Sequence, residues 1–370
     1  MEPFKNIYNQ VFFNHFSDVI SEVVSTFDSQ RFLNEIFNDK WESLELKQRM
    51  RHTTETLHKQ LSGDYEKDIT NLLQCITLWK EKKITVGKYD GLAFMFLPDY
   101  VELYGLDDFE ISMQATEQIT SFASCEFSIR PFIIKYPELG MKQMVIWSKH
   151  ENLHVRRLAS EGSRPRLPWA IALPEFKKDP TPVLPILENL KNDPSEYVRK
   201  SVANNLNDIA KDHPKTVITI AKSWKGKTKE TNWVVKHACR TLLKQGNQEL
   251  MQLFGFGSIK NIAIKNFKIF TPKVKIGDAL EFEFELNNKN KSSSKIRLEY
   301  VIYYMKANGS LTPKVFKISE KVYEPNSKTT IQRKQSFKVI TTKKFHLGKH
   351  QVALVINGKE LEKYDFELIK

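Results

Sequence analysis

Cysteine is scarce in this 370-residue chain. There are three, Cys75, Cys125 and Cys239, an odd number, widely spaced and with no Cys-x-x-Cys. That argues against a disulfide framework or a zinc knuckle and for a reducing, cytoplasmic setting. Long apolar runs are missing: none approaches the roughly 18 residues that a membrane span needs, so no membrane partner is expected. Met1–Lys5 has no charged segment leading into an apolar one, which argues against a signal peptide. The nine histidines form no His-Glu-x-x-His pattern and no cluster with cysteine, so no metal is expected. His52, His58 and His154 stand singly on helical segments. Gly-x-x-x-x-Gly-Lys-Ser/Thr and Gly-x-Ser-x-Gly are also absent. Neither a nucleoside triphosphate site nor a serine-hydrolase elbow is indicated, and no cofactor is expected.

What is present is positive charge, unevenly placed. The chain carries a net +13, with −6 over residues 1–149, +7 over 150–257 and +12 over 258–370. A basic surface attracts polyanions such as nucleic acid through counterion release. A merely solvated surface is the other reading of the same charge. The 41% hydrophobic content is enough to build cores, and the length suggests two or three domains.

Residues 1–257 read as helix throughout. Val11, Phe12, His15, Phe16, Val19, Ile20, Val23 and Val24 recur at helical spacing. A weak repeat lies inside this half. Val155-Arg156-Arg157-Leu158-Ala159, Val198-Arg199-Lys200-Ser201-Val202 and Val235-Lys236-His237-Ala238-Cys239 line up at spacings of 43 and 37 residues. The middle copy opens with Asp193-Pro194 as a helix start. Period and pattern resemble the second helix of a HEAT repeat, whose helix pairs stack on a shared core.

The character changes at Gly255-Phe256-Gly257-Ser258. Leu280-Glu281-Phe282-Glu283-Phe284-Glu285-Leu286 alternates as a half-buried strand should. Further strands are expected over 259–270, 295–306, 313–323, 329–340, 349–356 and 360–368, with hairpin turns at Asn308-Gly309 and Asn357-Gly358. About seven short strands fit an immunoglobulin-type sandwich without its Cys…Trp…Cys pattern. The expected architecture is multidomain, α then β: an α-solenoid of HEAT-like repeats over 1–257, then a basic Ig-like β-sandwich over 258–370.

One stretch concentrates chemistry: Glu151-Asn152-Leu153-His154-Val155-Arg156-Arg157-Leu158-Ala159-Ser160-Glu161-Gly162-Ser163-Arg164-Pro165-Arg166-Leu167-Pro168-Trp169. Its prolines stiffen a loop at a helix end, and Gly162 is expected to take a backbone conformation that other residues resist. Such a loop can hold Glu161 and Trp169 in fixed relation. The alternative is structural: Glu161 pairs with Arg157 or Arg164, and Trp169 plugs the core of the next repeat.

This run closely resembles the AlkC branch of the AlkC/AlkD DNA alkylation repair glycosylases. So do Ser124-Cys125-Glu126-Phe127-Ser128-Ile129-Arg130-Pro131-Phe132 and Ser201-Val202-Ala203-Asn204-Asn205-Leu206-Asn207-Asp208-Ile209. The likeness covers roughly residues 90–257, and one subgroup of the branch has an Ig-like tail. It implies repeats that grip alkylated double-stranded DNA and monofunctional excision of bases alkylated at N3, mainly 3-methyladenine, with 3-methylcytosine as a further candidate. It also implies that Glu126, Glu161, Arg157 and Trp169 occupy lesion-site positions, with Asp208 as an addition.

The residue types suit that chemistry. A base alkylated at N3 is already cationic and leaves without a strong general acid. The site must supply negative charge near the deoxyribose cation and a positioned water, which a carboxylate provides. Trp169 can stack on the sugar or the cationic base. Arg156, Arg157, Arg164 and Arg166 are expected to hold phosphates. The expected protein is a monomeric DNA glycosylase; its rival is a non-catalytic HEAT-repeat scaffold that binds protein or nucleic acid.

Overall fold

The computed structural model describes residues 3–87, 90–340 and 343–370. The helices are α1 (Gln10–Val23), α2 (Ser29–Ile36), α3 (Leu46–His58), α4 (Tyr65–Glu81), α5 (Asp90–Ala93), α6 (Phe96–Tyr104), α7 (Phe109–Ile119), α8 (Ile129–Lys135), α9 (Pro137–Trp147), α10 (Leu153–Gly162), α11 (Pro174–Lys178), α12 (Leu184–Leu190), α13 (Glu196–Ile209), α14 (Pro214–Trp224), α15 (Lys229–Ala238), α16 (Arg240–Lys244) and α17 (Gln248–Leu253). The strands are β1 (Ile262–Ile269), β2 (Lys273–Lys275), β3 (Ala279–Asn288), β4 (Ser294–Met305), β5 (Leu311–Tyr323), β6 (Ser327–Ser336), β7 (Gly348–Ile356) and β8 (Lys359–Ile369). The chain divides into two compact units, Met1–Val217 with Ser223–Ala238, and Ile218–Lys222 with Cys239–Lys370.

In the first unit, polar caps start the helices and aromatic side chains fill between them. Asn9 accepts from the Phe12 amide at 3.0 Å and Asp64 from the Lys67 amide at 3.1 Å, each satisfying an orphan donor of a first turn. Behind those caps Phe12, Phe13, Phe16, Phe32, Phe94, Phe96 and Trp79 are buried together. Phe12 meets Phe94 edge-on at 5.2 Å between ring centres, an arrangement that ring quadrupoles favour. Val11 and His15, which the helical spacing puts on the buried face, are exposed; Phe13 takes their place in the core.

The three matching pentapeptides fall on α10, α13 and α15, and α13 packs between the other two. Val155, Val198 and Val235 are all buried at equivalent positions. The arginines after the first two valines do one job: Arg156 donates to the carbonyls of His150 and Glu151, and Arg199 to those of Asp193 and Pro194. Each guanidinium thus satisfies the polar backbone that leads into its own helix. Asp193, expected as a helix start, accepts from the Ser195 amide and from Arg156.

In the second unit the strands form two sheets, ordered β1-β3-β6 and β2-β8-β7-β4-β5. The alternation of β3 puts Leu280, Phe282, Phe284 and Leu286 into the core, with Glu281, Glu283 and Glu285 facing away. Asn357 and Gly358 both have positive φ, 46° and 78°, as a tight hairpin turn requires. The strand β2 was not expected; its three residues pair in parallel with β8 and are too few to show a period. Helices α16 and α17 belong to this unit, so the division falls ahead of the composition change at Gly255–Ser258. Lys295 on β4 donates to the Phe254 carbonyl, and Asn357 to that of Gly257.

Candidate active site

The site is built on the end of α10 and the loop that follows. Asn152 caps the helix by accepting from the His154 amide at 2.8 Å. Helical spacing then places Arg157 and Glu161 four residues apart on one face. Gly162 is helical, and its role differs from the expected one. A Cβ there would lie 2.6 Å from Ile129 Cγ2 and 2.8 Å from Met144 Cε, so glycine allows α10 to approach α8 and α9 closely.

Arg130 organises the loop from within. It is fully buried; its Nε donates to the Ile171 carbonyl at 2.6 Å, and its Nη1 to those of Gly162 and Arg164, each at 2.8 Å. Burial lowers its pKa to about 10, and the Arg164 charge works in the same direction. Between those anchors Trp169 stands in the left-handed region, φ +69°, with its side chain 68% exposed. A core plug would be buried, so that structural reading of Trp169 is corrected. Lys47, on α3, donates to the Trp169 carbonyl.

Each carboxylate is held by an arginine. Arg157 Nη1 donates to Glu126 Oε2 at 2.7 Å, and Ser124 also donates to that oxygen. Arg164 Nη1 donates to Glu161 Oε1 at 2.6 Å, while its Nε donates to Asp208 Oδ2 at 2.9 Å. Burial opposes the charge on both arginines, but the carboxylates outweigh it: Glu126 foremost raises the pKa of Arg157, and Glu161 and Asp208 raise that of Arg164. Arg157 also lies 4.5 Å from the centre of the Tyr197 ring.

Part of this cluster lines a cavity of about 790 Å³, from whose lining Arg130, Arg157 and Asp208 are absent. Glu126, Glu161, Arg164 and Trp169 line it, together with Lys47, Phe127, His154 and Tyr197. Asp99 and Glu102 of α6 line it as well, with Arg51 2.8 Å from Asp99. Burial raises the pKa of both carboxyls. The lining sets four carboxylates, Asp99, Glu102, Glu126 and Glu161, beside Lys47, Arg51 and Arg164, with the rings of Phe127, Trp169 and Tyr197 among them. Among the described residues no group of His, Cys, Asp and Glu could hold a metal ion.

The structure brings Glu126 to the same cavity as Glu161 and Trp169, which share one stretch of the chain. It reassigns others. Asp208 is buried, absent from the lining, and reaches the site only through Arg164. Arg156, expected to hold a phosphate, donates to Asp193 at 2.6 and 3.2 Å and to two carbonyls. Arg157 and Arg164 hold carboxylates where phosphates were expected. Arg166 pairs with Asp212 at 2.6 Å and is the most open of the four. Sequence reasoning missed Arg130, Lys47 and Tyr197; an arginine before Pro131 is a weak signal, and the other two carry none.

Helices that repeat a buried valine and a backbone-binding arginine carry arginine-held carboxylates to a cavity, and a basic Ig-like sandwich follows in the chain. Comparison with known proteins names the protein's kind. A family model described as DNA alkylation repair enzyme matches residues 47–242, and one described as the C-terminal Ig-like domain of the uncharacterised protein YhaZ matches 263–370. Over 368 residues, spanning the whole of both chains, the protein is 40% identical to the uncharacterized protein YhaZ of Bacillus subtilis (strain 168). Its structure matches that of the Pseudomonas fluorescens alkylpurine DNA glycosylase AlkC, solved with DNA containing an abasic site analog, with a TM-score of 0.93, 36% identity and the whole of each chain covered. The chain belongs to the DNA alkylation repair enzyme family. With that, the rival reading as a non-catalytic scaffold falls. No described helix is long and apolar enough to cross a membrane.

Proposed function

We propose that this DNA glycosylase hydrolyses the N-glycosidic bond of N3-alkylated bases in duplex DNA, 3-methyladenine first and 3-methylcytosine next, and leaves an abasic site. The observation that carries the reading is the pair of arginine-held carboxylates, Glu126 and Glu161, on one cavity with an exposed tryptophan. Alkylation makes the base a cation, so the bond electrons can depart with it as a neutral leaving group. Positive charge then develops at the deoxyribose C1′. Glu126 and Glu161 oppose that charge and orient the water that attacks it; the water oxygen bonds to C1′ and its proton passes to a carboxylate and on to solvent. Arg157 and Arg164 fix the direction of the carboxylates, and Asp208 fixes Arg164. Trp169 stacks on the sugar or the cationic base.

The test is incubation with N-methylated duplex DNA and analysis of the released bases. The parent is expected to release 3-methyladenine. Glu161→Gln and Glu126→Gln should fold and bind DNA, yet lose about 2–4 kcal/mol of transition-state stabilisation, by analogy with a lost oxyanion donor. Full excision rates in both variants would remove the carboxylates from the mechanism.

A further inference from the structure

We propose that Lys47 is a positioning residue for Trp169, setting from α3 the orientation of the ring that meets the lesion. The inference rests on the reading of Trp169 as the stacking group and adds the device that holds it. A non-glycine residue in the left-handed region persists only where its surroundings impose it. Arg130 fixes the carbonyls of Arg164 and Ile171, one on each side of Trp169. The Ala170 amide donates to the Leu167 carbonyl at 3.4 Å and closes the turn, in which the Trp169 carbonyl is open to a side-chain donor. Lys47 takes it, across 122 residues of sequence.

The lysine is exposed, and its ammonium also lies 4.8 Å from the centre of the Phe127 ring, a second contact that favours the same placement. Lys47, Phe127 and Trp169 all line the cavity. An ammonium there repels a cationic base. That cost makes a lysine a poor choice for contacting the substrate and a reasonable one for holding a backbone carbonyl. The device also gives the N-terminal helices a part in the site, through α3.

A double-mutant cycle tests this on the full chain with methylated duplex DNA. Lys47→Met should lower kcat roughly tenfold, within the range of coupled neighbours. Lys47→Arg should restore most of the loss, and Lys47→Met should change nothing further in a Trp169→Ala background. Additive losses, or an unchanged rate for Lys47→Met, would overturn the proposal. So would a loss confined to DNA affinity with a shallower salt dependence, which marks a phosphate contact. Borohydride trapping of a DNA adduct that disappears with Lys47→Met would also overturn it, by making the lysine a nucleophile. A separate readout is the Trp169 emission, taken as the difference from a Trp169→Phe partner: Lys47→Met should change its quenching by acrylamide. If the parent releases no base, the glycosylase reading of the site fails, and unchanged quenching would still decide against the lysine's role.

Discussion

At φ +69° and 68% exposed, Trp169 carries a backbone cost of about 1–3 kcal/mol that the limited packing of its own side chain offsets only in part. Removing the ring should therefore leave the fold intact. Trp169→Gly, which adopts this φ freely, should melt at or slightly above the parent temperature and still lose excision. Trp169→Phe should retain part of the activity, because a smaller ring still attracts a cation. A large drop in Tm for both variants, with Phe as defective as Gly, would restore a packing role. Arg164 behaves in the opposite way. It bridges Glu161 and Asp208, both buried, and Arg164→Met would leave Glu161 with Arg157 at 3.9 Å and Asp208 with Lys211 at 3.0 Å, so chemical denaturation should show a loss of stability below the roughly 3–5 kcal/mol of a fully unpaired buried charge. Glu161 and Trp169 were legible in the sequence because one motif holds both. The Arg164–Asp208 bond was not, because the two residues, 44 positions apart, are brought together only by the stacking of α10 on α13.

At the scale of the element, α10 serves two neighbours at once. Its Val155 and Leu158 are buried in the repeat, and its last turn carries Glu161 to the cavity. Gly162 makes the second task possible, since any Cβ there meets Ile129 and Met144. Gly162→Ala should destabilise by about 1–3 kcal/mol, the usual cost of overpacking, and slow excision by moving Glu161. Chemical denaturation and single-turnover excision on the same sample measure both; full stability and rate would show that α8 and α9 yield without effect. The repeat itself was visible as Val-Arg spacing, because a buried valine and a carbonyl-binding arginine recur with the structural unit. Arg156, Arg157 and Arg164, expected at phosphates, meet carboxylates or carbonyls here, and sequence alone does not choose among these because a guanidinium serves carbonyl, carboxylate and phosphate with the same donors. The strands of the sandwich were legible from alternation, and β2 was not, since pairing with β8 creates it.

Over the whole molecule, the acidic stretch 1–149 contributes Lys47, Asp99, Glu102 and Glu126 to the cavity, whereas residues 258–370 hold +12 of the net +13. Charge of one sign on so small a sandwich exceeds what protection of strand edges needs, and it predicts contact with the phosphate backbone. Cutting the chain at 258 would be a poor test, because α16, α17 and the segment to Gly257 pack with the sandwich in the second unit. Removing charge within the full chain is cleaner. Lys289, Lys291 and Lys344 are exposed. Replacing all three by glutamine should leave Tm unchanged and weaken DNA binding. It should also reduce the slope of log affinity against log salt by up to about 2.7, at about 0.9 for each phosphate no longer neutralised. Excision at saturating DNA should persist, because the carboxylates and Trp169 lie in the other unit. An unchanged slope and affinity would assign these lysines to solubility and edge protection, and would leave DNA binding to the helical unit.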